Sequence, residues 1–378
     1  MRRSVFPVLA LLMVGAGPAA AQGSAFALRG LGWAGRPVSA RSAGMAGAMA
    51  AMDPEMNVNP AALGRWRSVA GWAVAAPTRR EFEGTRGPVE NQTVRFPLIG
   101  FATSTPYKVS IGFSFSDYLD RTYQIRVRDT LDINGKLEPY QDAARSVGGI
   151  SDIQLGAGWR LRPTILLGAG LHYYLGSVRL TAQRVFDNAA YLDILEVAIT
   201  EYRGMGIAVG ALLQPLPSLD IALSGRYNGS LRAENTSGQI ARVPLAHEAS
   251  VGVRYQLVPG IQLAGTAQWA GWSRADGDLA TSGGDGARNT WAVSAGAEVP
   301  RVTLIRLRTA LRGGYRWRQL PFLSLGQTVD EQAWSVGFGF SLAQDRANVD
   351  IAVDKGSRAA GATEERFETL FAGLTIRP

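Results

Sequence analysis

Histidines, cysteines and nucleophilic serines are the first residues to consider for chemistry, and this chain offers few of them. It has no cysteine and only two histidines, His172 and His247. The histidines lack the spacing of a metal site, and no Gly-x-Ser-x-Gly turn supplies a nucleophile. We therefore expect no enzymatic activity, no cofactor and no metal site. His172 is expected to be a hydrogen-bonding residue inside the fold.

Three glycines near the N-terminus have the spacing of a dinucleotide-binding motif, Gly30-x-Gly32-x-x-Gly35. That motif works only between a strand and a helix, where the helix N-terminus meets the pyrophosphate. The flanking residues show neither pattern. We interpret the glycines as part of a flexible loop.

A row of arginines on one segment could bind an anion. Arg306, Arg308, Arg312 and Arg316 share one parity, while Ile305, Leu307, Leu311 and Tyr315 take the other. Arginine suits carboxylates geometrically, so Arg306, Arg308 and Arg312 are candidate residues for a ligand carboxylate. The alternative is a structural ladder in which the arginines pair with Glu298, Asp350 and Asp354.

An apolar stretch at residues 191–199 interrupts an otherwise polar region. Leu192, Leu195 and Ile199 have helical spacing. They could form a helix packed on its neighbours, or a hydrophobic groove that captures an apolar ligand. Both interpretations stay open.

The elements that carry these residues are strands. Many segments alternate apolar with small or polar residues, as in Ile111 and Phe113 against Ser110, Gly112 and Ser114. The segments run to ten residues or more, which matches a tilted membrane-spanning strand of about 9–11 residues better than a soluble sandwich strand. Aromatic residues cluster near the segment ends, as in the interfacial girdles of outer-membrane barrels.

The connections between segments alternate between short and long. Six short ones lie near 105–107, 160–163, 214–217, 258–260, 299–301 and 343–346, and five of them contain proline, which stops a strand. Seven long ones lie near 77–90, 120–148, 177–203, 229–243, 273–288, 318–330 and 358–364. Thirteen connections predict an all-β, antiparallel transmembrane barrel of fourteen strands with long connections outside the cell.

The N-terminus predicts export. Met1-Arg2-Arg3, an apolar run and Ala19-Ala20-Ala21 have the order of a signal peptide with cleavage after residue 21. We expect a signal peptide at 1–21, a separate segment at 22–64 and a barrel at 65–378 in the outer membrane. The net charge of +8 indicates an anionic membrane surface or ligand rather than nucleic acid in an exported protein.

Residues 22–64, here called the N-terminal segment, are small and glycine-rich. A fourteen-stranded barrel is too wide for its own side chains to fill, since about eight strands is the limit. The N-terminal segment is therefore predicted to fold inside the barrel as a plug.

The end of this segment resembles a known family. Ser39-Ala40-Arg41-Ser42-Ala43-Gly44-Met45-Ala46-Gly47-Ala48, then Asp53 and Asn59-Pro60-Ala61 before the first strand, are similar to the hatch of the FadL/TodX family. The resemblance implies a fourteen-stranded barrel plugged by a hatch, with Gly44, Gly47, Asn59, Pro60 and Ala61 as hatch residues. It also implies transport of long-chain fatty acids or similar apolar compounds, with sideways exit through the wall.

The expected partners follow from this resemblance. They are a hydrophobic small molecule or lipid, outer-membrane lipid and the barrel-assembly machinery, with the protein as a monomer. A related branch resembles secretion-associated barrels of the PorV type, so one alternative is a barrel that binds exported proteins. A non-specific pore is the other.

Pro97 lies inside a segment that otherwise has a strand pattern, and a closed barrel has no edge strand to hold a proline. The wall must bulge or break there, between strands two and three. The second case is a lateral exit, with Gly100 and Gly112 leaving a gap that side chains do not fill.

Overall fold

The computed structural model describes residues 23–378 except 29, 37, 57, 85–86, 237, 282–285, 305–306, 325 and 362. The expected signal peptide and Arg306 lie outside the described residues. The strands are β1 (Trp33–Ala34), β2 (Ala70–Ala75), β3 (Thr78–Gly84), β4 (Gly87–Thr93), β5 (Leu98–Ser104), β6 (Val109–Asp120), β7 (Tyr123–Ile133), β8 (Lys136–Arg162), β9 (Ile165–Phe186), β10 (Ile194–Leu216), β11 (Leu219–Asn228), β12 (Ser230–Asn235), β13 (Gly238–Pro244), β14 (Glu248–Val258), β15 (Ile261–Ala270), β16 (Thr290–Leu304), β17 (Leu307–Gln319), β18 (Asp330–Leu342), β19 (Ala347–Ala360) and β20 (Thr363–Ile376).

The helices are short. They are α1 (Ala40–Ala43), α2 (Asp276–Thr281) and 3-10 helices at Ala25–Leu28, Pro60–Arg65 and Trp272–Ala275. In the part of the chain that the structure describes, no helix is long and apolar enough to cross a membrane.

The strands from β2 onward form a closed antiparallel barrel of fourteen strands, which confirms the predicted fold class. Some barrel strands consist of two consecutive elements. Barrel strand one consists of β2 and β3, barrel strand two of β4 and β5, and barrel strand three of β6 and β7. Strand seven is β11 with β12, strand eight is β13 with β14, and the rest are single elements. The barrel closes because β20 pairs with both β2 and β3.

The alternation in the sequence places apolar side chains outward. On β18, Trp334, Val336 and Phe338 are 69%, 58% and 44% exposed, whereas Ala333 and Ser335 at alternate positions are buried. A barrel whose outer face is apolar and whose inner face is small or polar has the solvent requirements of an outer-membrane protein.

Several details of the predicted connections are wrong. The long connections at 77–90 and 229–243 are mostly strand, in β3, β4, β12 and β13. The long connections at 120–148 and 177–203 are mostly strand, because β7 to β10 continue well past the barrel as a four-stranded sheet. The predicted turn at 299–301 lies within β16, where the register with β17 shifts around Pro300. Proline here makes a bulge, which tolerates a missing N–H, rather than a turn.

The orientation of β6 can be tested with single cysteines, because the chain has none of its own. Ile111 and Phe113 are 44% and 45% exposed, while Ser110, Gly112 and Ser114 are buried on the inner face. We expect a membrane-soluble maleimide to label cysteines at 111 and 113 only. Labelling at 110, 112 and 114 instead would mean that the strand is inverted.

Candidate functional site

The N-terminal segment is folded by its own side chains. Ser39 caps α1 by accepting a hydrogen bond from Ser42 N at 3.0 Å, and its hydroxyl donates to Asp53 Oδ2 at 2.6 Å. Asp53 Oδ1 also accepts from Glu55 N at 3.0 Å. These side-chain contacts hold residues 39–55 together as one compact unit. A helix as short as α1 would not be stable without them.

Asn59, Pro60 and Ala61 tie this unit to the barrel wall. Asn59 Oδ1 accepts from Ala61 N at 3.0 Å, and Pro60 starts the 3-10 helix that follows. The Asn59 amide donates to Ala51 O at 3.0 Å and to Ala211 O of β10 at 3.3 Å. One side chain thus caps a helix and joins the segment to a strand.

Gly44 and Gly47 allow the segment to approach the wall closely. A Cβ atom on Gly44 would lie 3.2 Å from the Cα atom of Gly337. Gly47 has a φ of +95°, which a side chain would strain. Nearby, Thr266 donates to Ala48 O at 2.7 Å.

The arginine row is paired with carboxylates. Arg312 donates to Glu298 at 2.8 Å and to Asp350 at 2.5 Å, and Arg41 of the N-terminal segment makes two further bonds to Glu298 at 2.9 and 3.0 Å. Farther along the row, Arg316 contacts Glu331 and Asp354. Arg308 is exposed and lies 3.4 Å from Asp345. These contacts agree with the structural ladder, and they leave Arg312 with carboxylates on both sides.

Glu55 is a carboxyl group of the N-terminal segment with an altered acidity. Thr375 donates to Glu55 Oε1 at 2.7 Å. Burial, and secondarily the neighbouring Asp53, raise the pKa of Glu55 to about 8. The group therefore keeps its proton over much of the neutral range, which lowers its repulsion with Asp53.

Barrel strands two and three are paired over only part of their length, and the place where their pairing stops is called the wall opening. β5 and β6 are paired from Leu98↔Ser116 to Ser104↔Ser110, and Asp117 N donates to Pro97 O at 3.2 Å. Residues 94–97 form no strand, and beyond them β4 pairs with β3 while β7 pairs with β8. Among the described residues no pairing joins β4 to β7, so Pro97 marks a break rather than a bulge.

Gly100 and Gly112 do not leave the unfilled gap that was expected of them, and this expectation is wrong. A Cβ atom on Gly100 would lie 2.4 Å from the indole of Trp72, and one on Gly112 would lie 2.6 Å from Leu63. Both glycines face inward, where large side chains already occupy the space. The opening lies beyond Pro97 instead.

The N-terminal segment takes the free edge of β6 at this opening. In β1, Trp33 pairs with Asp120 and Ala34 with Leu119, and Gly35 N donates to Tyr118 O at 2.8 Å. A strand edge without a partner leaves backbone groups unpaired, and β1 supplies partners to β6 where strand two has turned away.

Trp33 is held there by arginines. Its ring lies 4.7 Å from the guanidinium carbon of Arg358, 5.3 Å from that of Arg318 and 5.8 Å from those of Arg80 and Arg95. Cation–π contacts of this kind contribute most where water is excluded, and Trp33 is buried.

Two cavities lie behind the opening. One of about 220 Å³ is bounded by Gly47 of the N-terminal segment and by Tyr118 on the wall, and one of about 40 Å³ is bounded by Trp33 and Pro97. Arg36 lines both cavities and pairs with Asp354 at 2.5 Å. Arg36 therefore lies between the two cavities, with its charge paired to Asp354.

An apolar cluster covers the cavity of about 220 Å³ on the side of the long connections. It contains Leu31, Leu119, Ile150, Tyr174, Val178, Tyr202, Leu231, Val243, Leu245, Trp272, Leu279 and Phe322. The Tyr118 ring stacks on Trp272 with ring centroids 6.2 Å apart and lies tilted against Tyr174 with centroids 4.6 Å apart. The cluster gives this cavity an apolar cover, while Asp152, Arg226, Glu248, Arg316 and Arg318 are among the residues that line the cavity itself.

A third cavity, of about 620 Å³, lies at the short-turn end of the barrel, and Met49 and Met52 are among the residues that line it. The outer cavity is lined by Ala46, Gly47 and Ala50. Residues 46–52 therefore stand between the two spaces.

His172 is a buried hydrogen-bonding residue, as the sequence indicated. Its Nδ1 lies 2.9 Å from both oxygens of Asp152, and Nε2 lies 3.4 Å from the Gln154 amide. No serine hydroxyl is bonded to this ring in the described part of the chain.

Residues 194–199 of the stretch 191–199 belong to a strand, so the helical interpretation is wrong. Leu195 and Ile199 belong to β10, which pairs with β9 at Gln183 and Arg179, and Leu192 precedes it. The three side chains are 64%, 44% and 89% exposed. Leu195 and Ile199 share the outward parity of the lipid-facing positions farther along β10, away from the lumen.

Comparison with known proteins decides the family. The BamG family model matches residues 1–252, two thirds of the chain. The chain belongs to the BamG family. No curated protein sequence is significantly similar to this BamG-family chain.

Solved structures share its fold at low identity. A FadL homologue from Pseudomonas aeruginosa has a TM-score of 0.61 at 13% identity, covering 91% of this chain and 99% of the homologue. The toluene transporter TbuX of Ralstonia pickettii has a TM-score of 0.58 at 13% identity, with 90% and 98% covered. The CymD monoaromatic hydrocarbon channel has a TM-score of 0.59 at 14% identity, with 90% and 97% covered. The resemblance to the FadL/TodX fold is thereby confirmed, and an outer-membrane location follows from the fold.

Three residues of this site escaped the sequence analysis. Trp33 and Arg36 stand in a glycine-rich stretch without periodicity, and Tyr118 follows the alternation of its strand. The one available signal was the pair of large residues among small ones in Gly32-Trp33-Ala34-Gly35-Arg36.

Proposed function

We propose that this protein carries small hydrophobic compounds across the outer membrane and releases them sideways through the wall at Pro97. The observation that carries the proposal is the order of the spaces: an apolar cluster, a cavity of about 220 Å³, a pocket of about 40 Å³ and a break in the wall. The structural neighbours named as hydrocarbon channels support the same class of cargo.

In this proposal the N-terminal segment is the plug. It separates the cavities at the two ends of the lumen and bonds to the wall on several strands. Transport then requires Trp33 and Arg36 to leave the wall opening, while Asn59 keeps the rest of the segment attached.

Uptake by whole cells tests this function. Cells that express the protein should accumulate radiolabelled toluene or oleate faster than cells with an empty vector, and a hydrophilic sugar of similar mass should not enter faster. The two labelled compounds separate aromatic from fatty-acid cargo. Equal uptake of the sugar would indicate a non-specific pore.

The exposed stretch of β10 provides a first contact for apolar compounds in this proposal. Replacing Leu192, Leu195 and Ile199 by Ser should lower uptake at limiting concentration about fivefold, since partial burial of such side chains contributes about 1 kcal/mol. Folding should be unchanged, because all three are exposed. Leu137→Ser, 67% exposed on the adjoining hairpin, is the matched control. Loss of heat-modifiable folding would mean that the three residues pack rather than capture.

A second candidate function is binding of an exported protein. The extended sheet of β7 to β10 carries Val127, Leu131 and Ile194 exposed on the face that has lumen parity. Such a surface is typical of a binding face. A protein that copurifies in constant ratio, and is lost when these three become Ser while hydrocarbon uptake persists, would favour this function.

A further inference from the structure

A separate cavity of about 270 Å³ lies at the short-turn end of the barrel, away from the proposed path. Four arginines line it, namely Arg65, Arg67, Arg160 and Arg254, and Asp220 is its one acidic lining residue. Four guanidinium groups against one carboxylate leave three positive charges without compensation.

The single carboxylate is already shared. Arg65 and Arg254 both bind Asp220 Oδ2, Arg65 at 2.6 Å. The Nε atom of Arg65 is buried without an acceptor. An unmet donor on a charged, buried group is unfavourable, and an added acceptor would remove that cost.

The other two arginines have no carboxylate partner among the described residues. Arg160 Nη2 donates to the carbonyl oxygens of Gly64 and Trp66 at 2.6 and 3.3 Å, which leaves its other donors free to point at a ligand. Arg67 is exposed at the cavity rim.

This arrangement differs from the rest of the barrel interior. Arg41, Arg312 and Arg316 each contact a carboxylate at 2.9 Å or less, as befits charges removed from water. A cluster in which four cations share a single carboxylate instead has the composition of an anion site.

We propose that the cavity binds a phosphate group. A dianion compensates more of the three charges than a carboxylate does, and the guanidinium fork matches phosphate oxygens in pairs. The volume exceeds the needs of a bare anion, and Leu166 and Leu212 form an apolar wall. The bound molecule is therefore inorganic phosphate or, with the apolar wall in use, a phosphate ester.

Calorimetry on the full-length protein in detergent distinguishes these sources. The probes are inorganic phosphate, glycerol 3-phosphate and dihexanoyl phosphatidic acid, each at constant ionic strength set with chloride. We expect saturable binding at one site. Tightest binding of the phosphatidic acid would identify a lipid headgroup, and tightest binding of inorganic phosphate would identify the free ion.

Three variants connect the binding to this cavity. Arg67→Gln and Arg160→Gln should each weaken phosphate binding about tenfold, as expected for loss of a charge-assisted hydrogen bond. Residue 162 lies close to Arg160 but outside the cavity lining, so Arg162→Gln should leave phosphate binding unchanged. Arg67 is exposed, so its variant should fold normally even if Arg160→Gln does not. No saturable binding of any probe, or equal weakening by Arg162→Gln, would overturn the proposal.

Discussion

Uptake should stop when the N-terminal segment is locked into the wall by a disulfide between Ala34→Cys and Leu119→Cys. These two residues are register partners of β1 and β6. Antiparallel partners have Cα atoms about 4.5–5.5 Å apart, which suits a disulfide. If the cargo leaves sideways at this opening, the oxidised protein should lose transport about tenfold or more, and a reductant should restore it.

Two controls isolate the effect of the lock. Each single variant should transport equally fast with and without reductant, since the native chain contains no cysteine to pair with it. A second disulfide, between Ala267→Cys and Val293→Cys, joins register partners of β15 and β16, where the wall is already continuous. It should leave uptake unchanged. Full uptake with the first disulfide formed would mean that the cargo passes without displacing β1, and the sideways exit would be rejected.

The barrel was predictable from sequence because the bilayer imposes a rule on each residue. Lipid-facing positions such as Val336 and Phe338 must be apolar, and their neighbours face a polar interior. Proline and the short connections then mark the strand ends, and the count of fourteen follows. The rule stops at the membrane surface, which is why the continuation of β7 to β10 was mistaken for loops.

The candidate site was only partly predictable. Pro97 marks the break in the wall because a missing N–H is a property of one residue. The opening itself depends on β1, whose contact with β6 joins residues far apart in the sequence. Gly32 is an example of what a local pattern misses. A Cβ atom there would lie 2.3 Å from Asp120 O, so a glycine is needed for the N-terminal segment to come this close to β6. A local pattern could only suggest flexibility, or a nucleotide motif.

Deleting residues 23–58 should convert the protein into an open pore. They include residues 46–52, which lie between the cavities of about 620 and 220 Å³, and the wall of a fourteen-stranded barrel cannot fill the lumen by itself. We expect the ion conductance of single channels in planar bilayers to rise about tenfold or more. Cells should also become sensitive to hydrophilic antibiotics that the intact barrel excludes.

The deleted barrel should still fold, because the wall keeps its own charge pairs. Glu298 retains Arg312 and Asp354 retains Arg316 when Arg41 and Arg36 are gone. Heat-modifiable migration in gels checks this. A milder variant, Arg36→Ala, removes only the side chain paired with Asp354 and should speed uptake of hydrophobic compounds with little change in conductance. Unchanged conductance in a folded deletion variant would show that residues 23–58 are not the barrier, and the plug would have to lie elsewhere in the barrel.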